Sequence, residues 1–357
     1  MSDEGLDNRS SRPTAVDLFC GAGGLSYGMQ QAGMTIVGGI DIDPACRHPF
    51  ESNVKADYYE RDVAKLTSDF VASIYPQWGV RVLAGCAPCQ PFSTYTNPSS
   101  ARTRQWQLLD KFGEIVLELQ PEIVTMENVP RLAKHSVFQN FLSILDLADY
   151  HYDHWLVRCA DYGVPQTRSR LVLLASKLGD IELAPPTHAE GEFVTVSDTI
   201  KHLGRIAAGT TATIDPLHKS SGLSQTNLDR IRNSKPGGTW RDWDDSLRAA
   251  CHVRESGRTY PSVYGRMQWD RLAPTITTQF HGFGNGRFGH PKQDRAISLR
   301  EGALLQTFPE DYSFVPDGDA IRIASVARLI GNAVPVKLGE AIGRSIIAHL
   351  EAINDPG

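Results

Sequence analysis

Short apolar runs alternate with helical segments over the first half of the chain. Residues 14–19 form one such run, and a glycine-rich turn and a helical stretch follow it. Residues 80–86 form another run, residues 108–120 have the spacing of an amphipathic helix, and residues 121–129 are again apolar. Strands that alternate with helices predict an α/β fold with a doubly wound, mostly parallel sheet.

The alternation ends after residue 176. Residues 137–148 predict one more helix and residues 169–176 one more strand. The following region is rich in Gly, Pro, Thr, Arg and aromatic residues, which predicts a smaller, irregular and β-rich domain. Residues 324–353 contain a long helical pattern that we expect to pack on the first domain.

These patterns predict the domain boundaries. The polar segment 1–12 is expected to be a disordered tail. A first domain over residues 13–182 is completed by residues 324–357, and residues 183–323 form the second domain and a hinge.

Composition and charge narrow the class of protein. Hydrophobic residues make up 41% of the chain and charged residues 22%, as in globular proteins. No run approaches the roughly 18 apolar residues of a membrane span, and the first residues lack a signal-peptide core, so we expect a cytoplasmic protein. The net charge is −5, yet residues 227–300 hold 13 Lys and Arg against 7 Asp and Glu. This basic segment indicates a polyanion as partner, or a basic surface without one.

The turn after the first strand indicates a nucleotide-like ligand. The sequence DLFCGAGGLS (17–26) lacks the full G-x-G-x-x-G pattern, but its glycines allow the backbone to approach a ligand closely. Asp41, at the end of the second strand, can bind ribose hydroxyls, and Asp62 can meet an adenine amino group. NAD, FAD and S-adenosylmethionine fit this pattern, and the incomplete glycine triplet favours a methyl donor.

The six cysteines are scattered, at positions 20, 46, 86, 89, 159 and 251. Cys86 and Cys89 form a C-x-x-C in GCAPCQPFS (85–93), but further zinc ligands at the required spacing are missing. A redox pair is also disfavoured, because the residues after Cys89 are a poor start for a helix.

Six motifs in order then resemble the DNA cytosine-5 methyltransferases of bacterial or phage type. They are DLFCGAGG (17–24), GCAPCQPFS (85–93), ENV (127–129), QTRSR (166–170), RLAPTI (271–276) and GNAVPV (331–336). The resemblance implies S-adenosylmethionine as cofactor and double-stranded DNA as partner. It also implies a catalytic first domain, a target-recognition second domain and DNA in the cleft between them.

The chemistry of the reaction suits the residues in these motifs. Carbon 5 of cytosine is a poor nucleophile until a thiolate adds to carbon 6. The resemblance makes Cys89, between Pro and Gln, that nucleophile, and Glu127 the partner of ring nitrogen 3 and the exocyclic amine. Arg170 would bind the cytosine O2, and Arg168 would support the nucleophile loop or a phosphate. Gln166, Arg168 and Arg170 are expected to alternate on one strand.

The resemblance also implies the residues that contact cofactor and DNA. The cofactor set is Phe19, Gly21, Gly23, Gly24, Leu25, Asp41, Ile42, Asp62, Val63, Pro88, Leu108, Asn332 and Val334. The DNA set is Gln90, Ser93, Arg232, Lys235, Arg241, Arg254, Arg258 and Arg271. Cys86 is expected to be a small buried apolar residue without a role, which makes the C-x-x-C a coincidence of spacing.

Other functions fit the sequence less well. An RNA cytosine methyltransferase would carry a Cys-Phe pair that this chain lacks. A methyltransferase of exocyclic amines needs a Pro-Pro-aromatic motif, and 184–187 reads APPT. An inactive DNA-binding module would not need Cys89 and Glu127, and a nicotinamide oxidoreductase explains only the glycine turn. We expect a monomer, and the sequence leaves open whether a cognate restriction endonuclease acts on the same site.

Overall fold

The computed structural model describes residues 13–88, 101–254, 257 and 261–354, and residues 101–106 by their backbone alone. The predicted tail lies outside these residues. So do four of the predicted site residues, namely Cys89, Gln90, Ser93 and Arg258.

One sheet organises the first part of the chain. Within the described residues it has seven strands in the order β3-β2-β1-β4-β5-β7-β6. The strands are β1 (Pro13–Leu18), β2 (Thr35–Asp41), β3 (Asp57–Glu60), β4 (Val80–Gly85), β5 (Ile123–Asn128), β6 (His151–Arg158) and β7 (Ser169–Ser176). The first five strands are parallel, and β7 is antiparallel to both β5 and β6. The prediction of a mostly parallel α/β sheet is confirmed.

Helices connect and flank the strands. Over the described residues they are α1 (Gly24–Gln31), α2 (Arg47–Val54), α3 (Ser68–Ile74), α4 (Ala101–Leu119), α5 (Ser136–Leu147), α6 (Val196–Ile200), α7 (Gln225–Arg232), α8 (Ala250–Val253), α9 (Leu299–Leu305), α10 (Ile323–Asn332) and α11 (Val336–Asn354). Among these helices, none combines the length and the hydropathy that crossing a membrane requires.

The strand order determines where a ligand can bind. The chain moves from β1 outward to β2 and β3, then returns to β4 and continues to β5 on the other side. Since parallel crossovers are right-handed, helices that connect strands in opposite directions lie on opposite faces of the sheet. The switch of direction between β1 and β4 opens a crevice at the carboxyl ends of these strands, where α/β proteins bind ligands.

Both faces of the central strands are covered. All six residues of β1 and of β5 are buried, as expected for strands in the middle of a parallel sheet. On one side, α4 packs against α5 through Phe112 and Phe141, whose ring centroids lie 5.3 Å apart. Burying such aromatic side chains stabilises the fold by roughly 1.5–3 kcal/mol each.

The α1 helix packs against α11 at very short range. A Cβ on Gly28 would lie 2.3 Å from the carbonyl oxygen of Val336, and a Cβ on Gly339 would lie 2.8 Å from that of Leu25. Two glycines on facing helices therefore allow the backbones to touch, and a larger side chain at either position would push the helices apart.

The described chain divides into two compact units. Among the described residues, the first consists of 13–88, 101–162, 169–187 and 334–354, and the second of 163–168, 188–254, 257 and 261–333. The predicted domain boundaries were 182/183 and 323/324. In this division the helix α10 (Ile323–Asn332) belongs to the second unit, and α11 to the first.

The second unit has little regular structure. It holds α6 to α10, and the β-structure of its described residues consists of isolated bridges, such as Arg266 with Gly289 and Gly289 with Ala296. Its irregularity agrees with the prediction, but bridges take the place of longer strands. Trp240, Trp243 and Phe283 form a local core that does not require a ladder of strands.

The long helical pattern at 324–353 is two helices. Ala333 has an extended conformation, with φ −63° and ψ 145°. Pro335 follows two residues later and lacks the N–H that a continuous helix would need, so α10 ends before it and α11 begins after it.

Candidate active site

The glycine turn after β1 has an unusual backbone. Phe19, Gly21 and Gly23 all have positive φ, at 61°, 55° and 85°, and Gly23 is the N-cap of α1. A Cβ on Gly21 would meet nothing within 4 Å, so open space lies beside this backbone. Positive φ favours glycine, and the open space leaves the turn accessible to a ligand.

Asp41 fixes the turn from the end of β2. Its Oδ2 accepts a hydrogen bond from the Gly21 N–H at 3.0 Å, and its Oδ1 accepts one from the Asp43 N–H at 3.0 Å. Burial raises the pKa of this carboxyl, although the two backbone donors oppose the shift. Asp41 thus has a structural role that the sequence did not reveal, and each oxygen keeps a lone pair for a ribose hydroxyl.

A second acid lies deeper beneath the turn. Asp17 is completely buried, and its Oδ2 accepts a hydrogen bond of 2.6 Å from the Ser26 hydroxyl. Burial raises the pKa of Asp17 to about 7, and the nearby Asp41 adds to the rise. The other oxygen, Oδ1, has no hydrogen-bond partner among the described residues. Sequence reasoning gave Asp17 no role, because a strand-end acid next to a glycine turn resembles a simple cap.

The predicted adenine contacts differ in exposure. Ile42 is 59% exposed, so its side chain offers an apolar surface to a ligand. Val63 is buried in the hydrophobic core, which leaves its backbone as the part available to a ligand. Asp62 caps the short 3-10 helix Val63–Lys65 by accepting from the Ala64 N–H at 3.1 Å.

The other predicted cofactor residues differ in burial. In the first unit, Leu25 and Val334 are buried, Phe19 and Leu108 pack partly buried against the core, and Pro88 is exposed. Gly24 is buried as the first residue of α1. Asn332 is exposed at the end of α10 and belongs to the second unit.

The predicted acid Glu127 lies at the carboxyl end of β5. Its side chain is 3% exposed, and its Oε1 is 2.7 Å from Nε of Arg170 on β7. This contact is an ion pair without the alignment of a hydrogen bond. The pairing of Glu127 with Val172 in the antiparallel β5–β7 ladder brings the two side chains together. Arg170 thereby compensates the charge of a carboxylate that would be costly to bury alone.

Cys86 completes this cluster and departs from its predicted role. It is partly exposed, and its thiol donates a hydrogen bond to Glu127 Oε2, with 2.8 Å between sulfur and oxygen. The expectation of a small buried apolar residue is wrong, because the β4–β5 register places Gly85 beside Met126 and hence Cys86 beside Glu127.

Arg168 is buried and bonds to backbone carbonyls. It belongs to the second unit and is 4% exposed, with Nη1 donating to the Ile276 carbonyl at 2.9 Å and Nη2 to the Ala333 carbonyl at 3.4 Å. Gln166 donates to the Leu305 carbonyl at 2.7 Å and accepts from the Ile276 N–H at 2.8 Å. These bonds connect QTRSR with RLAPTI across more than 100 residues of sequence.

The prediction that Gln166, Arg168 and Arg170 alternate on one strand is wrong. The strand β7 begins at Ser169, so only Arg170 lies on it. Gln166 instead forms a parallel bridge with Ala273, which draws the chain away from the sheet before β7 starts.

The described members of the predicted DNA set are exposed. They are Arg232, Lys235, Arg241, Arg254 and Arg271. Arg232 lies 3.6 Å from Asp229 and 3.7 Å from Asp294, and it lines a cavity of about 600 Å³. Arg205 and Lys292 line the same cavity. The sequence did not single out these two residues, because nothing in it separates them from other surface cations.

Part of the basic excess in residues 227–300 is structural. Arg295 is fully buried and makes two hydrogen bonds, of 2.6 and 2.7 Å, to the carboxylate of Glu301. Burial opposes the ionisation of Glu301, but Arg295 keeps the pKa of this carboxyl below its usual range. Arg266 is 5% exposed and pairs with Asp294. The charge count therefore overstates the number of cations available to a polyanion.

Comparisons with known proteins identify the family. The profile of C-5 cytosine-specific DNA methylases matches residues 14–348. The chain is 48% identical over 343 residues to the Type II methylase M.HgiDII of Herpetosiphon aurantiacus, which covers 95% of this chain and 96% of that protein. It is 30% identical over 342 residues to the Type II methyltransferase M1.HphI of Haemophilus parahaemolyticus, with 94% and 86% covered.

A solved structure supports the fold. The chain is similar to a candidate DNA modification methyltransferase encoded within an E. coli prophage, with a TM-score of 0.73 and 22% identity, covering 95% of this chain and 99% of that one. The family profile and the 48% identical relative span nearly the whole chain, and they agree with the six ordered motifs. The chain therefore belongs to the C-5 cytosine-specific DNA methylase family and is a DNA cytosine-5 methyltransferase that uses S-adenosylmethionine.

Proposed function

We propose that the protein methylates carbon 5 of a cytosine flipped out of duplex DNA, through a transient bond between Cys89 and carbon 6 of the base. The observation that carries this proposal is the carboxyl of Glu127, buried at the end of β5 and paired with Arg170. A buried acid and an arginine at one strand end can hold the polar edge of a pyrimidine, and a base inside a duplex can reach such a site only by leaving the stack.

The proposed reaction proceeds through a covalent intermediate between enzyme and base. The Cys89 thiolate forms a bond to carbon 6, and the electron pair of the C5–C6 double bond becomes available at carbon 5. Carbon 5 would take the methyl group from S-adenosylmethionine, which would leave as S-adenosylhomocysteine with the electron pair of the broken sulfur–methyl bond. A water molecule would accept the proton that carbon 5 then loses as the S–C6 bond breaks, which restores the double bond and the thiolate. Glu127 would hydrogen-bond ring nitrogen 3 and the exocyclic amine, and Arg170 would bind O2, so that the base is held and its ring polarised.

The glycine turn fits S-adenosylmethionine, which when bound supplies an electrophilic methyl group. The open space beside Gly21 leaves room for the cofactor. Asp41 would hold the ribose through its free lone pairs, and the exposed side chain of Ile42 would cover the adenine. Asp17, with its unpartnered Oδ1, provides a buried acceptor beneath the turn.

The two units would have different roles. The first unit would bind cofactor and catalyse methyl transfer, and the second would recognise the target sequence. Exposed cations of the second unit, such as Arg241 and Arg254, would contact DNA phosphates or guanine edges. Arg168 would position the junction of QTRSR and RLAPTI through its bonds to backbone carbonyls.

The enzyme would act as a cytoplasmic monomer. A restriction endonuclease specific for the same site would be its counterpart, as the Type II names of its relatives suggest.

The test is to incubate plasmid DNA with the protein and tritiated S-adenosylmethionine, and to identify the labelled base. Label in 5-methylcytosine that disappears with Cys89→Ser would support both the reaction and the nucleophile. Label in N4-methylcytosine or N6-methyladenine, or full activity of the variant, would refute the covalent mechanism. Label on RNA but not on DNA would refute the proposed substrate.

A further inference from the structure

The thiol of Cys86 occupies one oxygen of the acid on which the proposed function depends. Its sulfur lies 2.8 Å from Glu127 Oε2 and donates to it. Cys86 directly follows β4, and Glu127 is the fifth residue of the adjacent parallel strand β5. The register of the two strands therefore places Cys86 beside Glu127.

The other oxygen of Glu127 faces Arg170. The ion pair from Nε to Oε1 is 2.7 Å long, and the Arg170 side chain is 13% exposed. The carboxyl thus has a cation from β7 on one oxygen and a thiol from the end of β4 on the other. These two partners are not equivalent, because a guanidinium carries a full charge and a thiol is a weak donor.

A second hydrogen bond connects the segment after β4 with the last residue of β5. The Asn128 side-chain amide donates to the Ala87 carbonyl at 3.1 Å. The chain segment just before Pro88 and Cys89 is therefore held to the end of β5 at two consecutive positions, by Glu127 and by Asn128. The orientation of the acid and the start of the nucleophile loop are linked through Cys86.

We propose that Cys86 is a positioning residue for the Glu127 carboxyl, and that its thiol gives up Oε2 when the target cytosine binds. This inference rests on the proposed function. A cytosine edge needs a carboxyl oxygen, and the weaker of the two partners is the one it can displace. A thiol keeps the empty carboxyl aligned and yields at low cost, whereas a second cation at this position would compete with the base.

The experiment compares the steady-state kinetics of the wild-type enzyme with Cys86→Ala, Cys86→Val and Cys86→Ser. Alanine removes the donor, valine removes the donor but keeps the bulk, and serine keeps a donor. We expect kcat/KM for DNA to fall roughly five- to tenfold in the first two variants, because the free carboxyl loses the hydrogen bond that aligns it, and to recover to within about twofold in Cys86→Ser. The KM for S-adenosylmethionine should stay unchanged in all three, because the change lies at the base and not at the cofactor.

The serine variant separates positioning from packing, because it restores a donor to Glu127 without adding bulk to the side chain. Cys251→Ala, which removes an exposed thiol of the second unit, is the control and should match the wild type.

Two results would overturn the inference while leaving the proposed function intact. One is a wild-type kcat/KM for DNA in Cys86→Ala and Cys86→Val, and the other is an equal loss of kcat/KM in Cys86→Ser. Calorimetric binding of S-adenosylmethionine checks that each variant is folded. If Cys86→Ala does not fold, the comparison of Cys86→Ser with Cys86→Val tests the inference. A wild-type enzyme that forms no 5-methylcytosine would instead refute the proposed function itself.

Discussion

Replacing Asp17 by Asn should remove a pH dependence of folding stability that the native carboxyl imposes. Asp17 is completely buried beneath the glycine turn, where one oxygen accepts from Ser26 and the other has no hydrogen-bond partner among the described residues. Burial raises its pKa to about 7, from 3.8 in an exposed chain. Asn has nearly the same shape, can accept the same hydrogen bond and never ionises.

The sign of the effect follows from proton binding. Between pH 3.8 and about 7 the folded protein keeps a proton on Asp17 that the unfolded chain has lost. The contribution of the neutral acid is therefore fully present below the lower value, and stability falls as the pH rises towards the upper one. The difference between the two pKa values corresponds to roughly 4 kcal/mol in total, of which roughly 3 kcal/mol is lost between pH 5 and pH 8.

The assay is urea unfolding of the cofactor-free enzyme at pH 5, 6, 7 and 8. The free energy of unfolding of Asp17→Asn, minus that of the wild type, should increase by roughly 3 kcal/mol over this range. Taking the difference cancels other titrating groups, such as His290, whose pKa burial lowers to about 4. Glu118→Gln, at an exposed position of α4, controls for the loss of one acid.

A difference between Asp17→Asn and the wild type that stays constant from pH 5 to pH 8 would refute this reasoning. It would mean that Asp17 is ionised in the folded protein and that the turn, or water, solvates its charge. A difference of the same size in Glu118→Gln would attribute the effect to overall charge and not to burial.

Two further outcomes are expected. Gly28→Ala should lower the free energy of unfolding by roughly 1–3 kcal/mol, because its Cβ would lie 2.3 Å from the Val336 carbonyl oxygen. Gly204→Ala is the control and should leave stability unchanged, because its Cβ would meet nothing within 4 Å. Equal melting temperatures of the two variants would contradict the close contact between the helices. If the exposed Arg241 contacts a phosphate, Arg241→Ala should weaken DNA binding and reduce the slope of log K against log salt concentration by about 1. Binding titrations at several salt concentrations measure this slope, and an unchanged slope would exclude the contact.

Most strands of the sheet could be predicted from the sequence, because a buried strand appears as a short apolar run of consecutive residues. The strand at 169–176 and the strands near 13–18 and 80–85 appear where apolar runs lie, within a residue of their predicted bounds. The edge strand β6 was missed because its residues, HYDHWLVR, are mostly exposed or half-buried and lack an apolar run.

Side-chain partners could not be predicted in the same way. The bond from Arg168 to the Ile276 carbonyl spans 108 residues, and no spacing rule connects them. The contact between Cys86 and Glu127 depends on the register of β4 and β5, which a sequence does not display. The identities of these residues were visible in motifs, but their orientation was decided by tertiary packing.

The contact between α1 and α11 has a consequence for how the protein is made. The apolar face of α1, with Leu25 and Met29, leaves the ribosome early, but α11, which covers it, is the last of the described helices to be synthesised. Residues 32–335 must be translated in between, which takes roughly 15 to 60 s at ordinary elongation rates. During that time the nascent first unit exposes an uncovered helix face, so a message truncated before codon 336 would yield a chain that chaperones and proteases recognise as unfinished. Methylation capacity in the cell would then depend on full-length translation.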